Sequence, residues 1–247
     1  MPEQAPELAA SFGRAAEAYE RGRPGWPPAV LDVLELPDDA VVLDLAAGTG
    51  KLTRVLVERY ARVVAVEPLE EMRALLEQAV PAAEARAGRA DAIPAADGEF
   101  DAVFVAQAFH WFATNEVVEE LARVMRPGAL LALLWNTLES SRFEPPLPDA
   151  YLARVRSLKE GVDFPFSDDR WRAALERGPF GELHEANVAH HRHVDGDTLV
   201  AQVASYSWVA RRPTAERGAI LRELRQLLPE ATYRQSLVAE IVWTERQ

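Results

Sequence analysis

The sequence predicts a doubly wound, mostly parallel α/β fold, and three observations carry that prediction. Apolar runs of strand length alternate repeatedly with amphipathic helical patterns between residues 40 and 135. The first run, Ala40-Val41-Val42-Leu43-Asp44-Leu45, is apolar at nearly every position, as expected of a strand covered on both faces. It ends abruptly at a glycine turn holding Gly48 and Gly50, the kind of place where open parallel sheets bind ligands. Successive parallel strands require right-handed crossovers, which put helices on both sides of the sheet.

The elements follow in order. A helix is expected over residues 6–20, then a loop over 21–27, where Gly22, Pro24, Gly25 and Pro27 forbid regular structure. A short helix over 28–34 leads into the strand at 40–45. Next come a helix at 51–60, a strand at 62–66, a helix at 70–79, a short strand at 85–87 and a strand at 100–105. The helix at 116–125 places Val117, Val118, Leu121, Val124 and Met125 on one face, and a strand at 130–135 follows it. The rhythm then breaks. Residues 139–180 carry clustered prolines and two short helical patterns, at 151–159 and 171–177, with no clear strand. The closing part offers a strand at 185–194, helices at 197–205 and 214–228, and a final strand at 236–243.

Composition narrows the function. At 247 residues the chain can bury one large core, so one main domain with a subdomain is expected. An apolar share of 49% and a charged share of 27% are those of an ordinary globular protein. Acidic residues outnumber basic ones by 39 to 27 and the arginines form no basic run, which disfavours nucleic-acid binding. No charged-then-apolar leader opens the chain and no apolar stretch nears the roughly 18 residues of a membrane span, so a cytoplasmic protein with no membrane partner is expected. Without cysteine there is no disulfide, no thiolate nucleophile and no cysteine-based zinc site. His191 and His193 would share a strand face, but no carboxylate pattern accompanies them, so a solvated face is expected and no metal site.

The turn Asp44-Leu45-Ala46-Ala47-Gly48-Thr49-Gly50 discriminates among ligands. A nucleoside-triphosphate loop needs glycine five residues before its Gly-Lys pair and Ser or Thr after it, where this chain has Leu45 and Leu52. A dinucleotide loop needs a third glycine three residues after the second, and that place is Thr53, which weakens an NAD(P) reading without removing it. A ligand without phosphate, held by an acid at the strand end and a few free amides, also fits. The second strand ends at Glu67, about 20 residues beyond the first glycine, where a carboxylate can accept both hydroxyl hydrogens of a ribose.

These residues resemble the class I S-adenosylmethionine-dependent methyltransferases of the type 11 group, over nearly the whole chain. Residues 42–50 are similar to that family's first motif, with Ala46 in place of its first glycine. Glu67-Pro68 with Met72 resembles the second motif, in which the acid takes the ribose and apolar neighbours enclose adenine. Ala90-Asp91-Ala92-Ile93-Pro94 resembles the third, where the acid or adjacent amide meets the adenine edge. The segment 105–112 and the early Tyr19-x-x-x-Arg23-Pro24-x-Trp26-Pro27 resemble the branch that contains trans-aconitate methyltransferases. The resemblance implies a Rossmann-like, seven-stranded sheet with an antiparallel last strand. It also implies an amino-terminal cover (1–36), a cofactor-binding core (37–138), a helical lid inserted after strand 5 (139–182) and a closing part of the sheet with helices (183–247). S-adenosylmethionine is the implied cofactor, held by Tyr19, Asp44, Ala46, Gly48, Gly50, Glu67, Pro68, Met72, Asp91, Ala92 and Gln107.

Methyl transfer from a sulfonium is a displacement by a donor that carries its own activation, so the protein has to align the reactants and keep water out. A carboxylate acceptor, with a reference pKa near 4, is ionised at neutral pH and needs only a cation to hold it. Arg23 is the first candidate, with Arg142, Arg211 and Arg212 behind it, because a guanidinium clamps a carboxylate bidentately. A hydroxyl or amine acceptor would need a base, and His110 beyond the fourth strand is the candidate. Trp111, Phe112, Trp171 and Trp208 either line an apolar chamber or pack the core. The expected partner is a small-molecule acceptor, and the protein is expected to be a monomer or homodimer. The rival readings are an NAD(P)-dependent oxidoreductase and a non-catalytic S-adenosylmethionine-binding protein.

Overall fold

The computed structural model describes residues 15–137, 142–161 and 170–247. The start of the expected first helix and two pieces of the expected lid, 139–141 and 162–169, lie outside the described residues. The helices are α1 (Ala16–Gly22), α2 (Thr53–Arg59), α3 (Glu70–Ala79), α4 (Asn115–Val124), α5 (Asp149–Lys159), α6 (Arg170–Glu176), α7 (Gly196–Ala204), α8 (Ser207–Ala210) and α9 (Thr214–Gln226). The strands are β1 (Val41–Leu45), β2 (Arg62–Val66), β3 (Glu84–Arg86), β4 (Phe100–Ala106), β5 (Met125–Asn136), β6 (Arg142–Glu144), β7 (His184–Asp195) and β8 (Thr232–Glu245). The chain divides into two compact units: a core unit of residues 25–136, 165–188 and 239–247, and a second unit of 1–24, 137–164 and 189–238.

In the core unit β3, β2, β1, β4 and β5 lie side by side in that order, all parallel. The end of β8 then runs antiparallel along β5, from Asn136 opposite Ala239 to Leu130 opposite Glu245. Strand side chains alternate between faces. Leu43, Leu45, Val64, Val66, Val103 and Val105 therefore enter one apolar layer, while Val42, Val63, Ala102 and Phe104 enter the other. Both faces are covered, which is why β1, β2 and β4 read as continuous apolar runs. Helix α4 closes the first layer with Val117, Val118, Leu121 and Val124. Its start is fixed by the Thr114 hydroxyl, which accepts from the Val117 amide at 3.4 Å. Trp171 packs into the same layer against Phe109 and Trp135, with ring centroids 6.3 and 5.1 Å away. Helix α2 closes the second layer with Val55 and Leu56.

The second unit has its own core of Tyr151, Leu199, Val203, Trp208, Leu224 and Tyr233. Helices α1 and α7 cross at Gly22, where an added Cβ would stand 2.1 Å from the Gln202 nitrogen, so no side chain fits. Asp195 caps α7 by accepting from the Thr198 amide at 2.7 Å. In this unit β7 alternates: His190, Arg192 and Val194 are at least partly buried, and His191 and His193 are exposed.

Several expectations need correction. The described residues form eight strands, one more than expected, because Arg142–Glu144 pairs antiparallel with residues 234–236 of β8. Three residues beside Pro145 are too few to show a period of two. Helix α1 runs on to Gly22, inside the expected loop, and the helix expected at 28–34 is a single 3-10 turn, Pro28–Val30. The first half of β5 was hidden by Pro127 and Gly128, which discourage a strand assignment although Met125 pairs with Phe100. Among the described residues no helix is long and apolar enough to cross a membrane.

Candidate functional site

The strand order turns round at β1, since β2 and β3 lie on one side and β4 and β5 on the other. Open α/β sheets bind ligands at such a point, beyond the carboxyl ends of the strands. Two strained residues mark it. Ala46, following β1, has φ 57° and Gln107, following β4, has φ 58°; these are the positive-φ residues other than glycine among the described residues. Each such conformation costs about 1 kcal/mol or more and persists only where its surroundings enforce it. Gln107 is tied down at both ends, its amide donating to Leu134 O at 2.8 Å and its Nε2 to Asn136 O at 3.2 Å.

The turn after β1 was expected to bare its amides. Instead the Ala47 amide donates to Val66 O at 3.1 Å, that of Gly50 to Ala47 O at 2.9 Å, and that of Gly48 to Glu67 Oε2 at 2.9 Å. What the turn offers is space. Gly48 and Gly50 both have positive φ, 58° and 80°. A Cβ on Gly50 would meet Leu76 Cγ at 3.0 Å and Val80 Cγ2 at 3.1 Å, whereas a Cβ on Gly48 would meet nothing within 4 Å. Gly50 is thus a packing glycine, and Gly48 borders open room.

Two acids end the strands beside that room. Asp44 shares the face of β1 that α2 covers and is wholly buried. Its Oδ2 accepts from the Thr53 hydroxyl at 2.6 Å, and its Oδ1 is buried without a hydrogen-bond partner among the described residues. Burial pushes the Asp44 carboxyl up to about 7, and the nearby Glu67 adds to the shift. Glu67 is also buried and accepts two backbone amides, Gly48 on Oε2 and Leu69 on Oε1, each at 2.9 Å. Burial raises its pKa against the pull of those amides and of Arg73, whose guanidinium donates to the Glu67 carbonyl at 3.0 Å. Hydrogen bonding makes two pairs, Asp44 with Thr53 and Glu67 with Gly48, and the charge of Glu67 reaches Asp44, with Ala46 and Gly50 in the same turn. Thr53 was the residue that sequence reasoning overlooked. Noted only as the missing third glycine, it is the partner of the buried acid.

The other expected residues are placed as follows. Met72 is buried and Pro68 exposed. Asp91 is exposed and paired bidentately with Arg89 at 2.7 and 2.8 Å, and the Ala92 amide donates to the Arg89 carbonyl at 3.1 Å. Neither is hydrogen-bonded to the acid cluster. His110 receives the Trp135 indole N–H on Nδ1 at 3.2 Å. Indole can only donate, so Nδ1 is unprotonated and the proton of the neutral ring sits on Nε2. Burial lowers the His110 pKa to about 4. Tyr19 and Arg23 belong to the second unit, where the Arg23 guanidinium carbon lies 5.4 Å from the Tyr19 ring centroid and 4.5 Å from that of Tyr206. Arg142 and Arg211 are exposed, and Arg212 is paired with Glu216.

Comparison with known proteins gives the family of the chain. A methyltransferase-domain family profile matches residues 43–133, the stretch from β1 through β5. An uncharacterized methyltransferase of Mycobacterium tuberculosis is 41% identical over 222 residues, covering 90% of this chain and 87% of the relative. A trans-aconitate 2-methyltransferase of Azoarcus is 38% identical over 101 residues, 40% of each chain. Among solved structures, a type II methyltransferase assignment from Anaeromyxobacter dehalogenans superposes with a TM-score of 0.68 at 26% identity, covering 90% of this chain and 97% of that one. A phosphoethanolamine N-methyltransferase of Haemonchus contortus, solved with S-adenosylhomocysteine, shares the fold at a TM-score of 0.55 and 12% identity, covering 94% of this chain and 56% of that one.

Proposed function

This chain belongs to the class I S-adenosylmethionine-dependent methyltransferases, and from that premise we propose that its acceptor is a small-molecule carboxylate, methylated on oxygen. The observation that carries the proposal is the state of His110. With Nδ1 occupied by Trp135 and the proton on Nε2, a ring whose pKa is near 4 is a poor proton acceptor at neutral pH. A hydroxyl or amine acceptor would need a base, and a carboxylate needs none. His110 Nε2–H is left as a donor that positions an acceptor oxygen. The partial similarity to a trans-aconitate 2-methyltransferase points the same way.

The acid cluster fits S-adenosylmethionine, which supplies an electrophilic methyl on a sulfonium. The unpartnered Oδ1 of Asp44 and the room over Gly48 suit a cationic amino-acid portion, and Glu67 keeps spare lone pairs for the ribose hydroxyls. Met72 is the apolar residue proposed to flank the adenine, with Asp91 and Ala92 near its edge.

The test is to incubate the protein with S-adenosylmethionine and a panel of organic acids beside matched alcohols and amines, following S-adenosylhomocysteine and products by mass spectrometry. Gain of one methylene mass on an acid, lost on mild alkaline ester hydrolysis, is the expected result. Turnover confined to amines or alcohols would refute the carboxylate assignment.

A further inference from the structure

In the second unit Arg23 and Arg192 are part-buried and have no carboxylate partner among the described residues. Arg192, on the partly buried face of β7, donates Nε to Gln235 Oε1 at 2.8 Å, and Nη2 to Gly22 O at 2.8 Å and Gln202 Oε1 at 2.7 Å. Arg23 donates Nε to Ser205 Oγ at 2.8 Å and lies between the rings of Tyr19 and Tyr206. Every one of these partners is uncharged. Other arginines of the same unit do meet acids, Arg154 on Glu223 and Arg225 on Asp197. The two free cations are also close enough to oppose each other, since Arg23 helps burial push the Arg192 guanidinium down to about 10.

Two part-buried like charges without a counter-ion are costly unless something else supplies the negative charge. The donor inventory says what. A guanidinium has five N–H groups. Arg192 keeps both on Nη1, and Arg23 keeps all four on its two Nη atoms, with no acceptor among the described residues. The Tyr206 hydroxyl accepts from Gln202 Nε2 at 3.1 Å and so has its own proton to give. That same Gln202 uses its oxygen on Arg192, so the network fixes one side chain by the other. A single carboxylate offers about four lone-pair sites, fewer than the donors present.

We propose that Arg23, Arg192 and Tyr206 form a recognition site for a small organic anion carrying two or more carboxylates. The site lies wholly within the second unit. Binding there does not depend on the carboxylate assignment above, and failure of either leaves the other standing.

Isothermal titration of the full chain without cofactor, in a buffer free of competing anions, separates the two. Succinate and citrate are expected to bind, acetate at least about tenfold more weakly, and inorganic phosphate in between. Arg192→Gln should weaken succinate by about tenfold or more, as loss of a charge-assisted contact does. Arg192→Lys, which keeps the charge and loses the fork, should recover part of it. Because Arg192 also ties α1 to α7, Arg23→Gln, which gives up one structural bond, decides the matter should Arg192→Gln fail to fold. Failure of succinate to bind, equal affinity for acetate and succinate, or indifference to Arg23→Gln would overturn the site. Dicarboxylate binding without any methylated product would leave the site standing.

Discussion

The turn after β1 contains three left-handed residues whose surroundings differ, and substituting each in turn separates backbone strain from crowding. Ala46 has φ 57° where a glycine would be unstrained. Its left-handed conformation costs roughly 1–2 kcal/mol, and Ala46→Gly removes that while loosening the unfolded chain by roughly 0.4–1 kcal/mol, a net gain of about 0.5–1 kcal/mol. Gly48→Ala reverses the balance at φ 58° with no atom within 4 Å of the new methyl, so a loss of about 0.5–1 kcal/mol is expected from strain alone. Gly50→Ala carries the same strain at φ 80° and presses on Leu76 and Val80 at 3.0 and 3.1 Å, adding about 1–3 kcal/mol of overpacking. Urea unfolding followed by circular dichroism should rank Ala46→Gly above wild type, then Gly48→Ala, then Gly50→Ala. At about 2–4 °C per kcal/mol for a chain of this size, melting temperatures follow the same order. A destabilised Ala46→Gly, or a Gly50→Ala no worse than Gly48→Ala, would refute the reasoning.

Other perturbations test the acids and the fold. Asp44, raised to about 7 from 3.8, binds a proton more tightly when folded than unfolded. Its contribution to stability is therefore present below pH 3.8 and lost as pH rises to about 7, at up to roughly 1.4 kcal/mol per unit. The difference between wild type and Asp44→Asn should slope across that window and flatten above it; no slope would mean that the acid is not desolvated. Glu67→Ala strands the Gly48 and Leu69 amides, each worth about 1–3 kcal/mol if left buried, and should weaken S-adenosylmethionine binding at least about tenfold by calorimetry. Unchanged affinity would remove the residue from the site. With His110 neutral down to about pH 4, its titration should leave the methyl-transfer rate level from pH 5.5 to 8, and a fall near pH 6.5 would revive it as a base. Gly22→Ala should unfold the second unit or displace α1 from α7, because its methyl would sit 2.1 Å from the Gln202 nitrogen. A variant as stable as wild type would contradict that crossing.

The sheet was legible wherever both faces are buried. Val42, Leu43, Val63 and Val64 advertise a strand from either side, so β1, β2 and β4 fall within a residue or so of expectation. Segments defined by pairing were not legible: β6 has three residues and half-exposed sides, and the first residues of β5 include a proline and a glycine. In the site, the glycines and Glu67 could be placed because a bend and an acid at a strand end are local facts of the chain. The partnerships were not local. Thr53 answers Asp44 nine residues away, while Trp135 sets the His110 tautomer from a neighbouring strand. Arg192 meets Gly22 across 170 residues, and in the sequence it is one arginine among histidines on a strand.

The strained pair at the strand ends joins these readings. A left-handed alanine or glutamine is a conformation that folding alone would select against, and here each follows one of the two strands flanking the point where the order turns. Gln107 is held there by the backbone of β5 on both its amide and its side chain, and the same strand carries Trp135, which holds His110. The carboxyl end of β5 thus fixes two neighbouring groups, the Gln107 amide by a bond that continues the β4–β5 ladder and the Gln107 and His110 side chains by bonds that the ladder does not require. A chemistry with no need for proton removal still needs its acceptor aligned within tenths of an ångström. Rigid placement of His110 as a donor serves that requirement, whereas a mobile histidine with a free Nδ1 would suit proton shuttling. Trp135→Phe separates the two uses. It frees Nδ1 and allows the ring to turn, so an enzyme that depends on alignment loses turnover with little change in its pH profile, and one that depends on a base becomes more active toward hydroxyl acceptors as Nδ1 opens.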